Sequence, residues 1–353
     1  MKPYLYIRGL RAVDHTVFCI QEGQKAYYDP RANFPMAYSS GQQVKRSVLD
    51  ALSETLDEPR APITFNYEIN SKKDLDQKEP WSPCDPHYAD QLLGGWMRAR
   101  KGEITLKRRS PLSISAMRPL HPFLVRMNSE NITFDRSEHP EQHPVRVVSA
   151  TGHVLTPEEI QDYLKINNRT LTRRHWIPDQ KGSNNRTTGL FVYDLAIDLK
   201  RLFTLATNQH EPELSPAMLE QLKAEGWESS ADGEFLLCPE ERRRTIAEGL
   251  AAAIVEWQIT SNQARTYSPQ TTLALAISEN ASLIASAIRA DLDEENPQRA
   301  VPVIDMVPKV DVYTSLTAKA YIQGLSGTAD AMEQARLDLE QRLLAFDYAG
   351  AIL

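Results

Sequence analysis

Cysteine is scarce in this chain. Cys19, Cys84 and Cys238 are an odd set, far apart and without a Cys-x-x-Cys pair. That excludes a disulfide framework and leaves free thiols, as suits a reducing compartment. Apolar runs approaching about 18 residues are also missing, and Met1-Lys-Pro-Tyr4 leads into a strand-like segment rather than a signal sequence. The expectation is a cytoplasmic protein with no membrane partner. Glycine-rich phosphate loops are absent, with neither Gly-x-x-x-x-Gly-Lys nor Gly-x-Gly-x-x-Gly, which argues against nucleotide hydrolysis and dinucleotide binding. There is no Gly-x-Ser-x-Gly elbow. His139 and His143 stand at i, i+4, but Pro140 and Pro144 argue against a helix there, so neither metal nor cofactor is expected.

What remains is an ordinary soluble composition. The 353 residues are 41% hydrophobic and 25% charged, enough for two domains or one domain with large insertions. The net charge of −7 hides an uneven distribution. Residues 1–203 carry 29 Lys and Arg against 24 Asp and Glu, a net of +5, while residues 204–353 carry 11 against 23, a net of −12. For a polyanionic partner, local basic clusters matter more than the total.

Tyr4-Leu-Tyr-Ile-Arg8 alternates as a half-buried strand, and Thr16-Val-Phe-Cys-Ile20 reads as a second one. Residues 71–87 are rich in Lys, Asp, Pro and Ser, so roughly 70–120 is expected as a surface insertion. Residues 120–187 look loop-rich, with a short helix from the cap Thr156 to about Asn167. The clearest strand is 189–199, placing Phe191, Tyr193, Leu195, Ile197 and Leu199 on one face and Asp194 and Asp198 on the other. Further on, Ser215–Gly226 and the stripe Ile246, Leu250, Ile254, Trp257 predict helices, Thr271–Ile277 a strand, and Met332, Ala335, Leu339, Leu343 a helix capped by Thr328. Strands and helices intermix without βαβ alternation, which favours an α+β fold.

The segment 39–54, SSGQQVKRSVLDALSE, opens a helix with Ser40 as cap, Gln43 completing a capping box, and Val44, Val48, Leu52 and Leu56 on one face. Its charges run against the helix dipole: Lys45 and Arg46 follow the cap, and no acid precedes Asp50. An anion at the helix start resolves the conflict, Gly41 adding flexibility there; plain solvation of two cations is the bland alternative.

Residues 98–118 hold seven cations and one acid, with Lys107, Arg108 and Arg109 consecutive. A second cluster, Arg169, Arg173, Arg174, Lys181 and Arg186, encloses His175, Trp176 and Ile177. Cations for phosphates with an aromatic residue for bases point to nucleic acid. A polar loop at 260–269, with Arg265 and Tyr267, is placed to approach a backbone. Asp14-His15 offers an acid–base pair, though a turn-forming Asp is the commoner explanation.

Taken in order, the N-terminal strand, Ser-Ser-Gly-x-x-x-Lys-Arg at 39–46, the basic insertion, the Arg-rich loop before Gly189-Leu-Phe-Val-Tyr-Asp-Leu195 and Asn-Gln-Ala-Arg-Thr at 262–266 resemble the Cas-seven family, the repeated backbone subunit of CRISPR effectors in the RAMP superfamily. The resemblance covers about 1–280 in outline. It implies an RRM-like ferredoxin palm (1–70 and 188–280), a basic finger insertion (71–120), a loop-rich region with a thumb hairpin at 169–187 (121–187) and a C-terminal helical extension (281–353). It implies RNA contacts from Arg8, Ser40, Gln42, Lys45, Arg46, Arg108, Arg109, Arg118, Arg169, Arg173, Arg174, Trp176, Arg186 and Arg265, with Trp176 or Ile177 as a wedge. The implied partners are crRNA, target nucleic acid, neighbouring copies in a filament and other CRISPR effector subunits. No catalytic aspartate is matched convincingly, so the expectation is a binding subunit. The alternatives are a RAMP-superfamily endoribonuclease and a stand-alone RNA-binding regulator.

Overall fold

The computed structural model describes residues 2–18, 24–100, 102–129, 132–135, 143–172, 174–177, 185–260 and 267–350, and of Ile132, Trp176 and Ile177 the backbone alone. The chain opens with β1 (Tyr4–Thr16), the hairpin β2 (Ala26–Asp29) and β3 (Phe34–Ala37), and helix α1 (Gly41–Leu56). A second hairpin, β4 (Thr64–Ile69) and β5 (Leu75–Trp81), precedes α2 (Ala89–Gly94), the pair β6 (Trp96–Arg98) and β7 (Leu106–Arg108), then β8 (Leu112–Ile114) and β9 (Arg118–Pro119). Next come β10 (Val125–Ser129), β11 (Ile132–Asp135), α3 (Pro157–Ile166), β12 (Arg174–Ile177), β13 (Asn185–Asp198), α4 (Leu199–Leu202) and β14 (Thr204–Ala206). The rest comprises α5 (Pro216–Ala224), β15 (Glu228–Ser229), β16 (Phe235–Leu237), α6 (Glu240–Glu256), β17 (Gln270–Ser278), α7 (Ala281–Ala287), β18 (Ile288–Leu292), β19 (Ala300–Ile304), β20 (Asp311–Thr314) and α8 (Ala331–Ala345).

The central sheet runs β10-β13-β1-β17-β20, antiparallel throughout, with β8 and β9 also pairing along β13. This is an α+β fold. Leu5, Ile7 and Val13 of β1 enter the core that α1, α6 and α8 cover; Leu10 and Ala12 enter a second core with Ile284, Ile288 and Ala318 on the opposite face. Because both faces are covered, β1 is buried almost continuously, and it runs on to Thr16 instead of yielding to a second strand there. Cys19 and Ile20 lie outside the described residues. Gly9 is needed where the Tyr193 ring crosses β1, since a Cβ there would lie 2.3 Å from the ring.

The periodic faces emerge as expected. α1 buries Val44, Val48 and Leu52; β13 buries Phe191, Tyr193, Leu195 and Ile197; α6 buries Ile246, Leu250 and Ile254; and α8 buries Ala335, Leu339 and Leu343. Thr156 and Glu159 form a reciprocal capping box on α3, and Ser215 caps α5. Asp330 rather than Thr328 occupies the cap of α8.

Two regional expectations are corrected. The surface excursion is the β4–β5 hairpin, which begins before residue 70; from α2 onward the chain returns to the core, burying Leu92, Leu93, Trp96, Leu106, Leu112 and Met117. Residues 281–353 are not a helical extension. They contribute the β18–β19 hairpin and β20, which pairs with β17 as a strand of the central sheet. Charge alternation in 288–314 hid these strands, since each has only four or five residues.

Candidate nucleic-acid interface

Ser40 has the extended conformation of an N-cap, and its Oγ accepts the Gln43 N–H at 3.3 Å. Gln43 Oε1 accepts the Ser39 hydroxyl at 2.9 Å, and Ser39 is in turn bonded through its backbone to Met117 in both directions, at 2.9 and 3.0 Å. The helix start is therefore clamped to the strand segment that carries Arg118. Gly41 serves contact rather than flexibility: a Cβ on it would sit 2.5 Å from the Ile114 carbonyl oxygen. No acid occupies the first turn, so its positive partial charge is uncompensated there. Gln42 is exposed beside it.

The two cations after the cap have separate explanations. Lys45 folds back, donating its Nζ to the Gly94 carbonyl at the end of α2 at 2.8 Å, and burial lowers its pKa to about 8. Arg46 stays largely exposed and pairs with Asp50 one turn on at 3.2 Å. Arg118 is 45% exposed, 3.7 Å from Asp194. Around it lies a ribbon that sequence reasoning missed. Tyr27 of β2 meets Tyr38 edge-on at 5.7 Å, and exposed Tyr28 and Phe34 flank it. Burial and Asp29 raise the Tyr27 pKa, while Arg118 and Arg31 act against them. The aromatic residues on either side of Arg31, Tyr27 and Tyr28 before it and Phe34 and Tyr38 after it, were the available signal.

Several expected contacts are internal instead. Arg8 grips Asp194 with Nε–Oδ1 at 2.6 Å and Nη2–Oδ2 at 3.0 Å, and donates to the Ile288 carbonyl at 3.1 Å. Arg108 is buried: it donates to the carbonyls of Leu92, Thr204 and Arg201 at 3.1, 2.7 and 2.7 Å and pairs with Glu213 at 3.0 Å. Both are corrections, because a guanidinium so occupied has no face left for a phosphate. Arg109, by contrast, is exposed.

The basic segment before β13 belongs to an arm. β10 pairs with the first residues of β13, and beyond that ladder β11 pairs with β12, with Thr133 opposite Trp176. Exposed Arg174 makes a forked pair with Asp135 at 2.7 and 3.0 Å, exposed Arg169 follows α3, and half-buried Arg186 lies on β13 opposite Asn128. The hairpin expected within 169–187 is corrected to this extent: its described strand, 174–177, pairs with 132–135. Arg173, Arg265 and the 262–266 turn lie outside the described residues, as does the Trp176 side chain. Asp14 and His15 are exposed where β1 breaks register, with Asp14 Oδ1 accepting the Thr188 hydroxyl at 3.3 Å. No helix among the described residues is long and apolar enough to cross a membrane.

No family model and no curated protein matches the chain. Among solved structures it is similar to a chain of a CRISPR RNA-guided surveillance complex in a pre-nicking state, with a TM-score of 0.42 and 11% identity over 96% of this chain and 88% of that one. It is also similar to a chain of a CRISPR RNA-guided surveillance complex with a TM-score of 0.37 and 11% identity, covering 96% and 83%.

Proposed function

We propose that the chain is a non-enzymatic, guide-RNA-binding backbone subunit of a CRISPR effector complex. In this reading it oligomerises along crRNA, presents it for target pairing and contacts other effector subunits in the cytoplasm. Residues 1–70 and 188–280 form an RRM-like palm, and the β10–β13 arm acts as thumb. The observation that carries the reading is the start of α1. An acid-free first turn, clamped to the Arg118 segment, lies with exposed Gln42 and Arg46 near a ribbon of tyrosines. Backbone N–H groups and guanidiniums hold phosphates, and aromatic rings accept bases.

Size-exclusion chromatography with light scattering tests it. Added to a single-stranded RNA several binding sites long, the protein is expected to form species whose mass grows with RNA length while the RNA stays intact, with or without magnesium. A single stoichiometric complex at every RNA length, or shortened RNA, overturns the backbone-subunit reading.

A further inference from the structure

A second group of cations lines a cleft that shares no residue with the start of α1. The triplet Lys107-Arg108-Arg109 is sorted by strand alternation: Arg108 enters the core, while Lys107 and Arg109 stand exposed on the other side. That side faces a cleft of about 570 Å³, within the range of ligand sites, whose lining also includes Arg201, His210, Glu211 and Glu213. One of its two acids is already committed. The Glu213 carboxylate accepts both the buried Arg108 guanidinium and the Ala206 N–H, each at 3.0 Å. Its carbonyl accepts the Trp96 indole N–H at 2.7 Å. The Lys107 N–H donates to the Pro212 carbonyl at 3.0 Å, tying the two walls together. A rigid, neutralised floor thus carries Lys107, Arg109 and Arg201 on its rim, against Glu211 and a long 3.7 Å approach of Arg201 to Asp198.

We propose that this cleft is a phosphate-binding site, with Lys107, Arg109 and Arg201 as the anion's partners. Three cations around a concavity concentrate the field that a flat surface would dissipate. The phosphate comes either from a free phosphorylated small molecule or from a nucleic-acid backbone; the chemistry is shared. The inference stands whether or not RNA crosses the start of α1.

Titration calorimetry with pyrophosphate and fluorescence anisotropy with a single-stranded RNA, each over a salt series, test it on the full chain. The variants are Lys107→Ala with Arg109→Ala and, separately, Arg201→Ala; their melting curves report folding. Arg46→Ala with Arg118→Ala serves as the control at the other surface. For a free phosphorylated ligand, pyrophosphate binding weakens at least tenfold in both cleft variants, whose RNA affinity is unchanged, and persists in the control. For a backbone phosphate, RNA binding weakens and its salt slope falls by about 0.7 per lost contact. If both cleft variants fold and bind pyrophosphate and RNA as the unaltered protein does, the proposal is overturned.

Discussion

Arg8 and Asp194 stand directly opposite each other on β1 and β13, and their side chains close a forked ion pair at 2.6 and 3.0 Å across that register. The Arg8 side chain is 12% exposed and also ties the chain after α7 to the sheet through the Ile288 carbonyl. Removing one partner strands the other in a poorly solvated place. Arg8→Ala is expected to cost about 2–4 kcal/mol of folding stability, with RNA affinity of the folded fraction unchanged. Urea denaturation beside an RNA titration checks both; weakened RNA binding at full stability refutes the internal role.

At the start of α1 the expectation is reversed. Arg46→Ala with Arg118→Ala removes exposed charges in pairs of 3.2 and 3.7 Å, worth about 0.2–1 kcal/mol each at most. RNA binding should weaken, with the salt slope falling by about 0.7 per phosphate contact. Tyr28→Ala should lose affinity at an unaltered slope, because stacking on a base, worth about 1–3 kcal/mol, releases no counterions. Anisotropy titrations at several salt concentrations separate the two effects.

His87 makes stability depend on pH. Burial pushes its imidazole pKa down, but hydrogen bonds to Glu225 and to Asp85, the latter at 2.6 Å, outweigh burial and hold it above the ordinary value. The charged form is therefore favoured by folding. Its contribution is complete below the unfolded pKa of about 6.5 and is lost as pH rises through the higher folded value. His87→Gln should flatten that fall, as thermal melts across neutral pH would reveal; a variant as pH-sensitive as the original protein removes His87 as the cause.

Trp257 closes α6 over a cation. The Arg11 guanidinium lies 3.7 Å from the indole centroid and donates to the Trp257 carbonyl at 2.7 Å, with both residues fully buried. Trp257→Ala opens a cavity and uncovers the charge, so a loss of about 3–5 kcal/mol is expected. Arg11→Met should cost less, because it fills the space without a charge to bury. Equal losses from the two substitutions in chemical denaturation would contradict this ordering.

Elements with long apolar periods were readable: the faces of α1, α6, α8 and β13 follow from spacing alone. What spacing does not carry is the fate of a cation whose partner is distant. Arg8 finds its acid 186 residues away and Arg108 finds Glu213 105 residues away, and before those encounters each reads as a surface charge. The arm was legible as a basic, loop-rich segment, but not its pairing, because β11 and β12 are short and separated by α3. Lys45 misled for the same reason, its acceptor being a backbone carbonyl on another helix.

The pairing order of the central sheet sets a schedule for synthesis. β1 leaves the ribosome first, yet Tyr4 must wait for Asp198 and Tyr6 for Ser278 before its two neighbours exist. Until β13 emerges this strand, which the finished fold buries on both faces, has no edge to join. Such distant closures are slow, and an unpaired apolar strand is a template for the wrong partner. Assembly of the central sheet therefore waits for β17, and yield should depend on how well the nascent chain is shielded until that strand emerges.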